Sequence, residues 1–305
     1  MQRQTFYLIC DESGAKGYSN KSEEGIDSLG LVVGLIALPA QIDKLRRYCH
    51  MIYVKYLQDG TNKFHITDLP PENQNNLRND VCNFIIHNNF RLVYSSVLKQ
   101  GMHQQYKNVK SLHEKIIMRE KENGYGINMS DPKENMLQYL YCDAIFRFFA
   151  AIIDNFQKDG NFNAIIYSDM LDDKLLDDIK NGIKEVLEYD SYSKNTVEVR
   201  RYNYQSKCVE KAKGSIEFNV DIPESLNAKE FNNITFGFQI DESLAILPDV
   251  IANSLLYFAK RKLKIDLNLP MNSRELISDY PLEEYFVSLS SQDDFDFLGN
   301  LYHLQ

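Results

Sequence analysis

The chain contains no tryptophan and only five cysteines in 305 residues. Cys10, Cys49, Cys82, Cys142 and Cys208 are scattered, no two form a Cys-x-x-Cys pair, and the count is odd. A disulfide framework is therefore excluded, and the cysteines read as reduced thiols that mostly fill core space. Long hydrophobic runs are also missing. The longest, Leu29 to Ala40, includes Gly30, Gly34 and Pro39 and falls short of the ~20 residues that a membrane-spanning helix needs. No membrane association is expected. The apolar stretch near the N-terminus is too short for a signal peptide and meets Asp11 at once, so the expected location is the cytoplasm. Gly-x-x-x-x-Gly-Lys-[Ser/Thr], Gly-x-Gly-x-x-Gly, Gly-x-Ser-x-Gly and His-Glu-x-x-His are all absent. Their absence argues against a P-loop nucleotide hydrolase and a serine hydrolase. Internal repeats and low-complexity tracts are lacking too.

Positive charge is in short supply. Lys and Arg number 34 against 43 Asp and Glu, a formal charge of −9. Such a chain does not coat nucleic acid through a bulk field. From Asp279 to Gln305 there are six acids and no Lys or Arg, which makes an acidic tail suited to docking a basic protein partner. Basic residues do cluster locally. Arg200, Arg201, Lys207, Lys211 and Lys213 face only Glu210 in their stretch, and Lys260, Arg261, Lys262 and Lys264 form a second group. Each cluster reads either as a solvated face or as a patch that holds phosphates. For the first, the functional expectation places Arg200, Arg201, Lys207 and Lys211 on the rim of an acidic site, against DNA or RNA.

Hydrophobic residues make up 44% of the chain, with 19 Tyr and 17 Phe, enough for a sizeable core. Thr5–Cys10 reads as a strand ending in a turn at Asp11-Glu12-Ser13-Gly14, and Leu29–Leu38 as a second, buried strand. Pro39 opens a helix to about Gln58, another runs from about Glu72 to His87, and Phe90–Leu98 is a third strand. The first three strands suit an antiparallel meander. Residues 102–158 read as long helices broken at Gly124-Tyr125-Gly126, the second starting at Asp131-Pro132. Phe162–Ser168 is a fourth strand ending at Asp169, followed by a helix from about Asp172 to Glu188. Thr196–Tyr204, Ser215–Val220 and Asn233–Ile240 read as strands, and Pro248 opens a late helix to Leu263. The expected organisation is one α/β domain over residues 1–270, with a helical insertion at about 102–158. An acidic helical extension is expected over 271–305.

Three acids stand at the ends of these elements: Asp11, with Glu12 beside it; Asp169, with Asp172 and Asp173 in the next turn; and Asp249 in the late helix. An ionised carboxylate beside an apolar run is costly unless something pairs with it. Several converging carboxylates require a cation, and an all-oxygen set suits Mg²⁺ or Mn²⁺. Two such ions activate water and stabilise the leaving oxygen in phosphodiester cleavage. Each acid also has a structural reading. Asp11 caps a turn through Ser13 and Gly14, Asp169, Asp172 and Asp173 cap the following helix, and Asp249 is a first-turn helix acid. His65, between Phe64 and Ile66, is a core histidine, a loop residue, a metal ligand or a proton donor.

Tyr7-Leu8-Ile9-Cys10-Asp11-Glu12-Ser13-Gly14 resembles the opening signature of the domain-of-unknown-function 3800 family, an apolar strand ending in Asp-Glu-Ser-Gly. Phe64-His65-Ile66-Thr67-Asp68-Leu69 is similar to the family's His-centred motif. The segment from Leu244 to Asn253 resembles its late Leu-Gln-x-Ala-Asp-x-x-Ala helix. These landmarks fall in the family's order over about residues 5–263. The resemblance implies a ribonuclease H-like α/β fold, a mixed sheet flanked by helices. It also implies a nuclease-type metal site at Asp11, Asp169 and Asp249, with Glu12 and His65 as accessories. Family members often accompany mobile elements and phage defence. The chain departs from the pattern at Ala15, where an Asp is common, and at Lys63, where many members carry Glu. Ile246 and Pro248 stand in place of the late helix's Gln and Ala. The resulting expectation is a metal-dependent phosphodiester hydrolase. The alternatives are a binding or regulatory module that kept the fold without catalysis, and a structural subunit docked through its acidic tail.

Overall fold

A computed structural model describes residues 3–22, 24–56, 65–156, 161–169, 171–187, 195–216 and 233–287. The first strand, β1 (Gln4–Gly14), outlasts the apolar run that announces it. Its antiparallel pairing with β2 (Leu29–Ala37) continues from Tyr7↔Ala37 to Gly14↔Gly30. Asp11, Glu12 and Ser13 are thus strand residues and not the expected turn. The carboxylates interrupt the hydrophobic pattern, but the β2 ladder carries the backbone past them. On its other edge β1 runs parallel to β5 (Phe162–Ser168), and only from Gln4↔Phe162 to Cys10↔Ser168. Asp11 is therefore the first β1 residue to lack a β5 neighbour in the ladder while still being held by β2.

The meander is present, with β3 (Arg91–Leu98) antiparallel to β2. Adding β8 (Thr235–Ile240), parallel to β5, gives a five-stranded mixed sheet in the order β3-β2-β1-β5-β8, in which β2 alone is reversed. β2 is buried along its whole length; a strand covered on both faces needs a continuous apolar run and not an alternating one.

Helices cover both faces. α1 (Pro39–Tyr56), α2 (Pro71–Asn88) and α6 (Glu242–Ile265) lie on one, where Leu45, Leu77, Leu247 and Ile251 pack with Ile9, Leu31, Val33 and Leu35. α4 (Met136–Asn155) and α5 (Asp173–Leu187) lie on the other, where Tyr141, Phe148, Phe149 and Ile179 pack with Phe6, Leu8 and Val32. α4 is apolar and long enough to cross a membrane, but most of it is buried inside the fold.

Several expectations shift. α4, assigned to an insertion, is the central helix of its layer. It starts at Met136 with Asn135 as cap, the Asn135 side chain accepting from the Leu137 N–H at 3.0 Å. Asp131-Pro132 lies outside it because residues just before α4 are used elsewhere: Ser19 N–H donates to the Glu134 carbonyl and Met136 N–H to that of Gly17. Pro248 does not open α6 but sits inside it. The helix starts earlier because Asp241 caps it through the Ser243 N–H; lacking an N–H, Pro248 leaves the Leu244 carbonyl without its usual donor. The true peripheral unit is α3 (Lys99–Glu122), buried only at Lys99, Gly101 and Met102. It carries β4 (Tyr125–Ile127), read as loop from sequence, which joins β6 (Asn195–Asn203) and β7 (Cys208–Ile216) in a second sheet, β4-β6-β7. β7 starts well before the expected Ser215, because its charged residues gave no apolar run to read. Residues 217–220 of that expectation lie outside the described residues.

Of the acidic helical extension expected over 271–305, residues 271–287 form one short helix, α7 (Arg274–Ile277), and a 3₁₀ turn at Glu283–Tyr285, and residues 288–305 lie outside the described residues. They bury Met271, Leu276, Ile277, Tyr280, Leu282 and Phe286 in the core. Val287 N–H donates to the Leu92 carbonyl at 2.8 Å, covering the open edge of β3. Asp293, Asp294 and Asp296 of the acidic tail lie outside the described residues.

Gly14 has φ +93°, and a Cβ there would stand 2.3 Å from the Leu29 carbonyl oxygen and 2.9 Å from Leu256 Cδ1. Gly25 has φ +62° with nothing within 4 Å of such a Cβ. Gly25→Ala should cost ~1 kcal/mol, the penalty of a left-handed residue. Gly14→Ala should cost about 3 kcal/mol or more, since backbone must move as well. Urea unfolding of both variants measures the difference, and equal losses would contradict the close approach.

Candidate functional site

Successive strand residues alternate between the two faces of a sheet. Tyr7 and Ile9 pack on the α6 side, so Asp11 points to that side. Ile165 and Tyr167 also pack there, which places Asp169, one residue beyond β5, in the same alternation. α6 crosses β1 and β2 on this face and brings Asp249 with it. A 3₁₀ turn at Ile66–Asp68 completes the neighbourhood. Ile66 is its buried anchor and its backbone N–H bonds the Asp249 carboxylate, while His65 is exposed. The core-histidine reading is thereby removed.

The electrostatics tie these groups together. Burial raises the Asp11 carboxyl well above the usual carboxylate range, and the charges of Glu12, Asp249 and Asp169 push it further. Its opposing support is the Glu12 backbone N–H, which donates to Asp11 Oδ1 at 2.8 Å. Burial likewise pushes Asp249 up to about 6, with Asp169 and Glu12 adding to the rise and His65 and the Ile66 N–H opposing it. Asp249 Oδ2 is buried without a hydrogen-bond partner.

Glu12 faces the other way. Its Oε2 accepts from the Tyr141 hydroxyl at 2.5 Å and its Oε1 from Lys16 Nζ at 2.7 Å. Tyr141 is fully buried in α4. Burial, followed by the Glu12 and Asp11 charges, raises its phenol well above the usual range, so Tyr141 remains a donor. Nothing in the sequence around Tyr141 marks it; a tyrosine inside an apolar helix reads as packing.

Other expected residues go elsewhere. Asp172 caps α5, accepting from the Leu175 N–H at 2.9 Å, and Asp173 lies in that helix's first turn; both fill the structural role. Arg200, Arg201, Lys207 and Lys211 do not ring the acids. Arg201 lies against Glu120, at 4.0 Å, near the far end of α3. The near end is Lys99, whose Nζ donates to the Lys16 carbonyl. At 1.5 Å per residue the two are about 30 Å apart along the helix. An acid not singled out from sequence is Asp241, just beyond β8, which holds Arg46 at 3.0 Å and caps α6. Its signal was an Asp directly after a strand and two residues before Ser243, a helix-start pattern obscured by the prominence of Pro248.

The donor chemistry fits a hard divalent cation: three carboxylates, one with an unsatisfied buried oxygen, and no softer ligand required. The carboxylates nevertheless are not drawn to one point. Among the described residues no group of three His, Cys, Asp or Glu side chains is posed to hold a metal ion; one Asp11 oxygen and the Asp249 carboxylate are engaged by backbone N–H groups. Compared with protein-family models, with curated proteins and with solved structures, the chain matches none.

An acid raised by folding makes stability fall as pH rises. Asp249 goes from its ordinary value to about 6, so the metal-free fold binds more protons than the unfolded chain from pH ~4 to ~6. Asp11, also raised by burial and by its acidic neighbours, adds to that loss. The cost of ionising Asp249 is about 2–3 kcal/mol. Melting in EDTA should therefore show a lower Tm at pH 7.5 than at pH 5, and Asp249→Asn and Asp11→Asn should each flatten the decline. Wild-type slopes in both variants would contradict the burial described.

Proposed function

We propose that the chain is a divalent-metal-dependent phosphodiester hydrolase of ribonuclease H-like architecture acting on nucleic acid. The observation that carries the reading is the electrostatic neighbourhood of Asp11, Asp169 and Asp249, with Asp11 buried among like charges and one Asp249 oxygen unsatisfied. The order β3-β2-β1-β5-β8 with one reversed strand supports the architecture, as does the resemblance to the domain-of-unknown-function 3800 family at the Asp-Glu-Ser-Gly, His-centred and late-helix motifs. Burying a carboxylate among carboxylates is costly, and a cation is the simplest way for the fold to recover that cost.

Mg²⁺ or Mn²⁺, when bound, would polarise the phosphodiester and lower the pKa of an attacking water. Asp11, Asp169 and Asp249 would hold it. Glu12 acts from the opposite face of β1. Clamped by Tyr141 and Lys16, it fixes the strand carrying Asp11 and adds negative potential. His65, exposed and near Asp249, would contact the scissile phosphate or hand a proton to the leaving oxygen. A second reading has one observation in its favour: the carboxylates are not closed around a point, as in a binding module without catalysis.

Asp11→Asn separates the two. In the hydrolase, cleavage of a labelled oligonucleotide with Mg²⁺ or Mn²⁺ falls by orders of magnitude. Without metal the Tm stays level or rises, because a repelled buried charge has been removed. In the inert module neither protein cleaves the oligonucleotide, and the metal-free Tm shifts in the same way because the same buried charge is removed. Unchanged specific activity in a folded Asp11→Asn protein overturns the proposal.

A further inference from the structure

The unit built from α3 and the β4-β6-β7 sheet has the opposite charge to the rest of the chain. Residues 99–127 and 195–216 contain eleven Lys and Arg against five Asp and Glu, a formal +6 on a chain of −9. The small sheet has two unlike faces. Arg201 and Glu210 are directly paired and lie on the inner face. There Arg201 stacks over Tyr125, 3.8 Å from the ring centroid, and reaches Glu120 on α3 and Glu210. Arg201 is thus spent within the unit.

The outer face takes the alternate residues. Tyr202 is paired with Gly126 on one side and Val209 on the other, and Arg200 with Lys211 in the next row. Tyr202, Tyr204 and Val209 are 39%, 52% and 64% exposed, and Arg200 and Lys211 are exposed as well. Tyr204 packs edge-on to Tyr202 with centroids 5.5 Å apart and lies across β4 at Gly126. A Cβ on Gly126 would stand 2.7 Å from the Tyr204 hydroxyl, so the glycine is what lets the ring sit there. The turn beyond β6 is set by Asn203, whose Oδ1 accepts from the N–H groups of Gln205 and Ser206. Lys207, at φ +55°, is exposed at its tip.

Two aromatic rings held on a rigid sheet and bordered by Arg200, Lys207 and Lys211 meet the requirements of one ligand class. Bases stack on exposed rings whatever their identity, and nearby cations follow the backbone. Stacking of this kind needs unpaired bases, because in a duplex the faces are already occupied. We propose that the outer face of β4-β6-β7 is a platform for single-stranded nucleic acid, on which Tyr202 and Tyr204 stack bases and Arg200, Lys207 and Lys211 hold phosphates. This deepens the nucleic-acid reading above by naming its substrate as single-stranded, yet it needs neither metal nor Asp11.

The full chain is titrated in EDTA against fluorescein-labelled oligo(dT) and against a duplex of equal length, with anisotropy as readout. The single strand should bind more tightly than the duplex although no metal ion is present. Tyr202→Ala and Tyr204→Ala should each weaken the single-strand complex roughly tenfold, and Tyr202→Phe should restore it. Arg200→Gln and Lys207→Gln should each flatten the log–log salt slope by about 0.7. Arg201→Gln, a substitution on the inner face, should leave the slope unchanged in protein shown by circular dichroism to be folded. Duplex binding equal to single-strand binding, full affinity in folded Tyr202→Ala, or self-association through this face without oligonucleotide binding would each overturn the platform. Loss of cleavage with binding intact would instead count against the hydrolase alone.

Discussion

The structure turns on the unequal pairing of β1 along its two edges. β2 holds the strand as far as Gly14, whereas β5 releases it after Cys10. At Asp11 the backbone is therefore still rigid, but the sheet has opened on one side. That opening puts a carboxylate at the edge of the core, and α6 then packs over it and brings Asp249 in. Burial and the charges of Glu12, Asp249 and Asp169 oppose its ionisation, and the next residue's N–H supports it. Such an arrangement stores unfavourable energy, and the rest of the fold supplies it. α4 and α6 bury a large apolar area on the two faces of the sheet, and the C-terminal segment seals the β3 edge.

Much of this was legible in the sequence where one physical signal dominated. Buried strands write continuous apolar runs, so β2, β3 and β5 fell within a residue or two of their expected bounds. The acids at Asp11, Asp169 and Asp249 stood out because each interrupts such a run. Where two signals competed, the louder one misled. Pro248 usually marks a helix start, but the cap at Asp241 and the apolar face from Leu244 to Leu247 begin α6 earlier and tolerate the proline inside. Cys208–Ile216 alternates charged and small residues, and sequence cannot separate an exposed strand from a loop unless its partner is known.

Contacts across the sheet had no sequence signal. Glu12 sits beside Asp11 in the chain, and the motif treats them as a pair. Strand alternation sends them to opposite faces, where Glu12 meets Tyr141 from α4 and Lys16 from its own loop. The pair thus has divided labour. Asp11 lies with the other aspartates, while Glu12 ties the end of β1 to the helix layer behind it. Tyr141 takes part because its phenol remains protonated in that environment and is the donor that Glu12 needs.

Charge segregation is what would let an acidic chain approach the polyanion proposed as its substrate. With +6 on the α3 unit and −9 overall, the remainder carries −15, and a mean-field view would predict repulsion. Screening at physiological ionic strength acts over about 8 Å, however, and Arg201 sits about 30 Å along α3 from the acidic end. Across several screening lengths the two fields scarcely cancel, so an approaching strand meets the local sign and not the average. The same separation keeps the cations from neutralising the aspartates. Had Arg200 or Lys211 stood beside Asp11, an ion pair would have stabilised the carboxylate and offset the repulsion of its neighbours. Distance along one exposed helix therefore preserves both an attractive surface and a strained acidic centre in a chain whose composition suggests neither.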